Sequence, residues 1–525
     1  MVISRQALRA YADRQLDTFL WMKQLCREDI IAELAQFRVL PVFKTEPWLH
    51  PLVCFYIGLC RPEFLFLLDM GLGKSKIIAD LITQRQRDRT LRRALVTVPN
   101  VINMASWADD LAKHSDLEPW TCSVENIDAK WERLAYPRGD VTLIDYQGLQ
   151  WALCDKVTGK GGKSKLVVNA ERIAHVARLY NFIDIDESHK LRNHQNLWFS
   201  IMHSLTASAD YVYANTGTVF GKNPEAMWSQ FYLVDGGATF GENLGMFRET
   251  FFGQHQDHFK GTVWTFNRRT SRELNRMMQH RSIRYDEAEV PELDLPKKVP
   301  IVLKLHMASE QRQHYMRALK ALIDAQGTGD ATTLEAPWIR MRQILSGYLV
   351  WKDAYGEHKL FFKENPKLVQ VERLLEEMGD SKIVLCHYYT ETGRMLVDSV
   401  RSWGYEAEWL YGGTKDKQAV RRRFMEDPDC RVLVMNTETG GTGNDGLQEV
   451  SRYMVMYESP TPPDSRKQLE KRVHRPGQRH RTFIYDLILR GTLDQGILDG
   501  IAEGTDLFAQ VVNGRRLHMG LADGF

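Results

Sequence analysis

The chain has little of what marks secreted, membrane-spanning or strongly basic proteins. Only seven of its 525 residues are cysteines, and no two form a C-x-x-C pair, which argues against a disulfide framework and a zinc cluster. The net charge is only +2, so any nucleic-acid binding must come from local basic faces. The longest apolar runs, 52–60 and 64–68, are too short to span a bilayer, and the amino-terminal residues lack the apolar core of a signal peptide. We therefore expect a cytoplasmic protein.

The most informative stretch is residues 65–80, LFLLDMGLGKSKIIAD, which predicts a buried strand, a glycine-containing turn and a helix. Such a turn presents main-chain N–H groups to phosphate oxygens at a helix N-terminus. Lys74 would contact the outer phosphates, and the Ser75 hydroxyl would bind Mg²⁺. The predicted ATP-binding residues are Gly71, Leu72, Gly73, Lys74 and Ser75. Leu68 stands where the full phosphate-loop pattern has its first glycine, so an ordinary strand-to-helix turn is the alternative.

Short apolar strands alternate with helical stretches on both sides of the chain's middle. This alternation is typical of parallel sheets covered by helices on both faces, and it predicts an α/β fold. The first set of predicted strands is 64–68, 94–98, 141–145, 181–186 and 211–218; the second is 382–386, 407–411, 431–435, 452–457 and 482–488. Residues 1–45 predict one or two amphipathic helices, and a long helical region is expected up to about residue 378.

Two carboxylates stand at the end of the predicted strand 181–186, in the sequence Asp186-Glu187-Ser188-His189. Asp186 is expected to hold Mg²⁺, and Glu187 to polarise the attacking water. His189 would link this site to a moving part of the protein. An exposed acidic turn is the alternative, but carboxylates directly after a buried strand favour a functional role in a chain with a phosphate loop.

The region QLEKRVHRPGQ at 468–478 places two arginines three residues apart, a spacing that predicts both guanidinium groups on one helix face. Together with the phosphate loop and the acidic pair, this region resembles the sixth motif of superfamily 2 helicase-like ATPases of the Swi/Snf-type branch. The resemblance implies that Arg475 reaches the γ-phosphate of ATP, with Arg472 and Gln468 assisting. It also identifies 186–189 as a DEAH-type box and implies a coupling motif at Thr216, Gly217 and Thr218.

The same resemblance implies two RecA-like lobes with ATP between them and DNA crossing both. The implied nucleic-acid-binding residues are Pro99, Ser106 and Tyr146 in the first lobe and Asn436, Thr437, Gly440 and Gly441 in the second. Arg272 and Arg276 belong to a basic stretch, 268–284, that predicts a DNA-contacting helix or, equally, a solvated or domain-bridging one. The basic segment 156–165 predicts a flexible loop. Pro51 stands where related chains often carry a glutamine that reads adenine.

The predicted domains are an N-terminal helical segment (1–45), a first lobe (46–290), a second lobe (291–500) with a helical insertion at about 305–378, and a tail (501–525). The resemblance implies an ATP- and Mg²⁺-dependent enzyme of compact bacterial or viral form that translocates on double-stranded DNA. A monomer would be sufficient. Strand separation or branch remodelling by the same motor is one alternative. Another is an ATP-gated DNA-binding or assembly module whose partner performs the chemistry.

Overall fold

A computed structural model of the chain describes residues 19–37, 39–69, 71–124, 126–158, 164–217, 225–257, 261–326, 331–353, 355–440, 446–507 and 511. The chain divides into two compact units, Met1–Leu293 and Asp294–Phe525. Among the helices in these ranges, none is long and apolar enough to cross a bilayer.

The first unit contains eleven described strands and eleven described α-helices. The strands are β1 (Glu63–Leu68), β2 (Ala94–Val98), β3 (Pro119–Thr121), β4 (Val141–Asp145), β5 (Cys154–Thr158), β6 (Ser164–Val168), β7 (Phe182–Asp186), β8 (Tyr211–Asn215), β9 (Phe252–Asp257), β10 (Gly261–Phe266) and β11 (Ser282–Tyr285). The helices are α1 (Arg27–Gln36), α2 (Leu49–Cys60), α3 (Lys74–Arg87), α4 (Val101–His114), α5 (Ile127–Ala135), α6 (Tyr146–Leu153), α7 (Ala170–Leu179), α8 (Leu197–Thr206), α9 (Glu225–Asp235), α10 (Leu244–Phe251) and α11 (Ser271–Gln279).

Seven strands of this unit form one sheet in the order β11-β1-β8-β7-β2-β4-β3, and every neighbouring pair is parallel. Successive residues of a strand point to opposite faces of a sheet. Accordingly, Phe64 and Phe66 pack in one apolar cluster, whereas Leu65 and Leu67 pack in another on the opposite face. The sheet is therefore buried on both sides, which explains why its strands are continuously apolar.

The order of the strands decides which chain segments meet. Because β8 lies between β1 and β7, the carboxyl ends of these three strands lie side by side at one edge of the sheet. The residues that follow them are the phosphate loop after β1, Glu187 after β7 and Thr216 after β8. This edge is where parallel α/β sheets usually bind ligands.

The second unit has a sheet of six parallel strands in the order β12-β19-β18-β15-β17-β16. The strands described in this unit are β12 (Lys298–Leu305), β13 (Tyr348–Asp353), β14 (Gly356–Phe361), β15 (Lys382–His387), β16 (Glu406–Leu410), β17 (Cys430–Asn436), β18 (Ser451–Met456) and β19 (Thr482–Leu489). Of these, β13 and β14 form a separate pair outside the six-stranded sheet. Its helices are α12 (Ser309–Gln326), α13 (Ala331–Ser346), α14 (Pro366–Glu377), α15 (Thr390–Ser402), α16 (Lys417–Glu426), α17 (Thr437–Gly440), α18 (Leu447–Val450), α19 (Pro463–Glu470) and α20 (Leu493–Ala502). The prediction of an α/β fold with two parallel sheets is confirmed.

The prediction of a continuous helical region up to residue 378 is wrong for one segment. Strands β13 and β14 pair as an antiparallel hairpin, with Tyr348 opposite Phe361. Helix α13 ends at Ser346, and the next residue, Gly347, has a φ of 103°, a conformation that ends a helix and disfavours residues with a side chain. The aromatic residues Tyr348 and Trp351 and the β-branched Val350 then favour an extended chain.

Two basic segments also differ from their predictions. The stretch 268–284 is not one helix, because α11 ends at Gln279 and β11 then pairs with β1, burying Ile283. The segment 156–165 is not wholly a loop, because its two ends belong to β5 and β6, which pair as antiparallel strands. In the amino-terminal region, the described part consists of a 3₁₀ helix at Phe19–Gln24 and α1.

Candidate functional site

The phosphate loop has a main chain that only glycine adopts readily. Gly71 and Gly73 have φ values of 84° and 75°, and Gly73 directly precedes the first residue of α3. A side chain at either position would favour a different backbone conformation. Lys74 is the first residue of α3, so its side chain begins at a helix N-terminus, where the helix dipole favours a bound anion.

The acidic pair after β7 lies within reach of the phosphate-loop lysine. Lys74 Nζ is 3.4 Å from Glu187 Oε1 and 3.5 Å from the main-chain oxygen of Leu68. Glu187 has a φ of 51°, an unfavourable value for a non-glycine residue that costs roughly 1–3 kcal/mol. Side-chain contacts on both sides of its carboxylate hold it in place.

The electrostatics keep the carboxylate of Glu187 ionised. Burial raises the pKa of Glu187, but the Lys74 ammonium and the His189 ring outweigh burial and bring this pKa below its ordinary value. Asp186 differs, because burial and the neighbouring Glu187 charge raise its pKa. The two adjacent carboxylates therefore have different proton affinities, as expected when two acids share one site.

His189 connects this site to the strand beyond β7. Its Nδ1 atom lies 3.1 Å from Glu187 Oε2 and 3.1 Å from the hydroxyl oxygen of Thr216. Thr216 is buried, and its main-chain N–H donates to Phe66 in β1. Gly217 follows it, while Thr218 lies outside the described residues. The proposed coupling residues His189 and Thr216 are thus brought together.

Asp186 is oriented by two aromatic residues. Trp107 Nε1 donates to Asp186 Oδ2 at 3.0 Å, and the Tyr146 hydroxyl donates to the main-chain oxygen of Asp186 at 2.6 Å. Tyr146 is 1% exposed, so its side chain belongs to the core of the unit rather than to a nucleic-acid-binding surface. The role predicted for Tyr146 is corrected accordingly.

The residues present fit a magnesium ion. Ser75 donates its hydroxyl hydrogen to Asp110, which leaves the lone pairs of the Ser75 oxygen for a cation. Asp186 supplies a carboxylate, and Mg²⁺ prefers one or two such oxygens together with substrate phosphates and water. Asp110 was missed from the sequence, although it lies three residues after Trp107 on α4.

The residues at the start of α2 lie against the phosphate loop. His50 Nε2 is 2.9 Å from the main-chain oxygen of Leu72, and a Cβ atom at Gly73 would lie 3.6 Å from the ring of Pro51. Pro51 thus packs on the loop. The contact of His50 was not predicted, because nothing local in the sequence links residues 50 and 72.

In the second unit the arginines of 468–478 do not share a helix face, which corrects the prediction. Helix α19 ends at Glu470, before Arg472 and Arg475. Arg472 is buried at 4% exposure, whereas Arg475 and Gln468 are partly exposed. After the helix, the side-chain amide of Gln478 donates to the main-chain oxygens of Ser451 and Val473, which ties this segment to β18.

Arg466, which was not predicted from the sequence, is a buried arginine of α19 that pairs with two carboxylates. It donates to both carboxylate oxygens of Asp486, at 2.6 and 2.8 Å, and to Glu470 at 2.7 Å. Because this arginine is 3% exposed and paired in fork geometry, it serves to fix α19 on β19.

The remaining predicted nucleic-acid contacts are spread over both units. Pro99 and Ser106 are partly exposed after β2 and on α4, and Arg272 and Arg276 are exposed on α11. Asn436 donates to the main-chain oxygen of Tyr388, and Thr437 is buried. Gly440 ends α17, and Gly441 lies outside the described residues. The roles of these residues stay predictions.

A comparison with protein families identifies the chain. The family described as SNF2-related domain matches residues 20–352, more than half of the sequence. The chain belongs to the SNF2-related domain family. This membership confirms the predicted Swi/Snf-type branch and the predicted enzyme class, a helicase-like ATPase.

Curated relatives of this SNF2-related chain are much longer than it is. It is 21% identical over 471 residues to the CHD3-type chromatin-remodeling factor CHR7 of Arabidopsis thaliana, covering 85% of this chain and 35% of that one. It is 23% identical over 480 residues to the nuclear protein STH1/NPS1 of Saccharomyces cerevisiae, covering 85% and 33%. The chain therefore spans about a third of the length of these relatives.

A search of solved structures matches this chain to proteins of Sulfolobus solfataricus and Pyrococcus furiosus. The Sulfolobus solfataricus SWI2/SNF2 ATPase core in complex with dsDNA is 19% identical, with 91% of this chain and 95% of that chain covered and a TM-score of 0.40. The Pyrococcus furiosus Hef helicase domain is 14% identical, with 86% and 98% covered and a TM-score of 0.50. The second similarity is one of fold alone.

Proposed function

We propose that this SNF2-related chain is a DNA-dependent ATPase that translocates along double-stranded DNA. The observation that carries the proposal is the continuous set of contacts from Lys74 through Glu187 and His189 to Thr216. These contacts join Lys74, proposed to bind phosphate, to the ionised carboxylate of Glu187 and then to Thr216, the residue that follows β8. A site of this kind can hydrolyse a nucleotide and report its state elsewhere.

Each residue has a role in the proposed reaction. The main-chain N–H groups of the phosphate loop and Lys74 bind the phosphates, and Glu187 accepts a hydrogen bond from the attacking water and orients it. Ser75 and Asp186 would hold Mg²⁺, which neutralises phosphate charge when bound. Arg475, assisted by Gln468, is proposed to add positive charge at the γ-phosphate during turnover. Arg472, being buried, is proposed to support the main chain around Arg475.

The choice of DNA as partner rests on the family and on relatives. One of them, the mouse protein called chromodomain-helicase-DNA-binding protein 1-like, is 23% identical over 347 residues, 64% of this chain. The exposed arginines of α11 are suited to phosphate contacts. We further propose that the chain works in the cytoplasm of a bacterium or, for a viral member, of its host cell, and a monomer would contain every residue named here.

A polymer comparison tests the proposal directly. Steady-state ATPase rates would be measured with duplex DNA, single-stranded DNA, RNA and no polymer, at equal nucleotide concentration. We expect the highest rate with duplex DNA, because a translocase couples turnover to its track. Equal rates in all four conditions would contradict translocation and favour the ATP-gated module. Stimulation by single strands alone would favour the strand-separating alternative.

A second assay separates movement from unwinding. A third strand bound in the major groove of a duplex is displaced by a protein that moves along intact duplex DNA, whereas a forked duplex releases a strand only if the protein unwinds it. We expect ATP-dependent third-strand displacement without release from the fork. The Glu187→Gln variant is the control that separates displacement by binding from displacement by hydrolysis.

A further inference from the structure

His50 contacts the phosphate loop and is not one of the groups assigned to the reaction. It is 3% exposed, and its Nε2 atom lies 2.9 Å from the main-chain oxygen of Leu72. Leu72 is the residue between Gly71 and Gly73, whose positive φ values shape the loop. The ring therefore contacts the loop at the centre of its unusual backbone.

The chemistry of this contact fixes the state of the ring. A carbonyl oxygen only accepts hydrogen bonds, so Nε2 must carry the hydrogen. Burial lowers the pKa of His50, which keeps the ring neutral and leaves Nδ1 without a hydrogen. Nδ1 is buried and has no hydrogen-bond partner among the described residues. His50 is thus a neutral donor with a single target, the oxygen of Leu72.

Two aromatic rings pack beside the His50 ring, and Lys23 in turn packs on one of them. The ring centre of Tyr285, on β11, lies 5.5 Å away, and that of Trp48 lies 6.0 Å away. Lys23 Nζ is 4.3 Å from the ring centre of Tyr285 and forms a 2.8 Å ion pair with Glu289. The main-chain oxygen of Tyr285 also accepts from the N–H of Asp69, just before the loop. These contacts leave His50 little freedom to move.

We propose that His50 is a positioning residue that holds the phosphate loop open for nucleotide, with Tyr285 and Lys23 supporting it. The inference rests on the proposed ATP site and gives a role to the amino-terminal segment around Lys23. A loop that turns its N–H groups towards a phosphate must turn carbonyl oxygens the other way. A donor fixed against the loop stabilises that orientation before the ligand arrives, which lowers the entropy lost on binding.

The test compares three variants for binding of a fluorescent ATP analogue without DNA. His50→Phe keeps a flat ring but removes the donor, and we expect a dissociation constant about tenfold higher, the effect of losing one hydrogen bond. His50→Gln places an amide N–H near the position of Nε2, and most of the affinity should return. His175→Phe is the matched control: that ring also contacts a main-chain oxygen, of Ala135 at 3.2 Å, and packs between Trp131 and Tyr136.

Turnover gives a second readout. Because His50 is assigned no contact with the reacting atoms, His50→Phe should raise KM for ATP and leave kcat within about threefold of wild type. If the Phe variant does not fold, His50→Leu and His50→Gln make the same comparison, and a Gln variant that binds no tighter than the Leu variant overturns the proposal.

The outcomes separate this inference from the proposed function. A wild-type chain that binds no ATP contradicts the ATP site itself. Wild-type affinity in His50→Phe, or an equal loss in His50→Phe and His175→Phe, contradicts only the positioning role. Weak binding confined to His50→Phe and restored by His50→Gln supports it.

Discussion

Lys74 Nζ lies 3.4 Å from Glu187 Oε1, and both side chains are nearly buried, so the groups assigned to phosphate binding and to water activation share one ion pair. A phosphate that binds Lys74 must compete with Glu187 for the same cation. Under the proposed roles, nucleotide binding would weaken the hold of Lys74 on the carboxylate of Glu187. The ion pair would then couple nucleotide binding to the freedom of Glu187 to orient water.

Replacing Glu187 by glutamine should separate binding from hydrolysis. The variant removes the charge that competes for Lys74, so we expect ATP to bind a few-fold more tightly, while turnover falls by about a hundredfold or more. A nucleotide titration and a steady-state ATPase assay measure the two effects. Glu171→Gln, an exposed glutamate of the same unit, is the control. Normal turnover in Glu187→Gln would remove Glu187 from the mechanism.

Lys74→Ala should abolish measurable nucleotide binding, because it removes the cation at the start of α3 without changing the loop glycines. Arg87→Ala is the matched control, since Arg87 is an exposed cation in the last turn of the same helix. Isothermal titration with ATP analogues distinguishes the two. Binding retained by Lys74→Ala would mean that the loop N–H groups alone hold the phosphates.

The sequence predicts most of this site because its parts are local. The glycines, Lys74 and Ser75 are contiguous, and the acidic pair directly follows an apolar strand. The sequence also predicts that the phosphate loop and the acidic pair lie near each other, since both are at the carboxyl ends of parallel strands. What the sequence cannot supply is the order of those strands, which decides that Thr216 lies beside His189.

The unpredicted contacts join residues that are far apart or depend on how a segment folds back. Trp107 and Asp186 are separated by 79 positions, and no periodic pattern links them. The spacing of Arg472 and Arg475 suits a helix, yet the helix ends at Glu470, before both arginines. Beyond it, the Gln478 side chain is hydrogen-bonded to Ser451 of β18 and to Val473. Residues spaced three apart share a helix face only if the helix extends over both of them.

Trp107→Phe should raise the Mg²⁺ concentration needed for half-maximal ATPase activity by about tenfold. The variant keeps the buried ring but loses the N–H that orients Asp186, and such supporting contacts commonly change metal affinity by about 10–100-fold. Trp120→Phe is the control, because its indole N–H donates to the main-chain oxygen of Arg133, away from the site. An unchanged Mg²⁺ requirement would show that Asp186 needs no such support.

Arg475→Ala should bind ATP normally and lose DNA-stimulated hydrolysis by about a thousandfold, the effect typical of an arginine that reaches the transferred phosphate. Arg479→Ala, an exposed arginine four residues later, should behave as wild type. Full activity of Arg475→Ala would mean that another group supplies the charge.

Arg472 should respond differently from Arg475 because it is buried. We expect Arg472→Ala to lower the melting temperature of the chain, since removing a buried arginine leaves a cavity and unmatched polar neighbours. Arg475→Ala should leave the melting temperature unchanged. A thermal melt of both variants without nucleotide measures this. Equal melting temperatures would place Arg472 with Arg475 in catalysis rather than in support.

Charge reversal on the exposed face of α11 tests whether this helix contacts DNA or only solvent. Arg272 and Arg276 are one turn apart and both exposed, while Leu274 and Met278 pack against the unit, so charge reversal at the arginines leaves the core intact. If both contact phosphates, the double change to Glu should weaken DNA binding and lower the slope of log affinity against log salt by about two. Reversing Arg422 and Lys415, exposed cations of the second unit, controls for net charge. Equal losses in the two double variants would mean that only overall charge matters, and unchanged affinity at low salt would assign α11 to solvent.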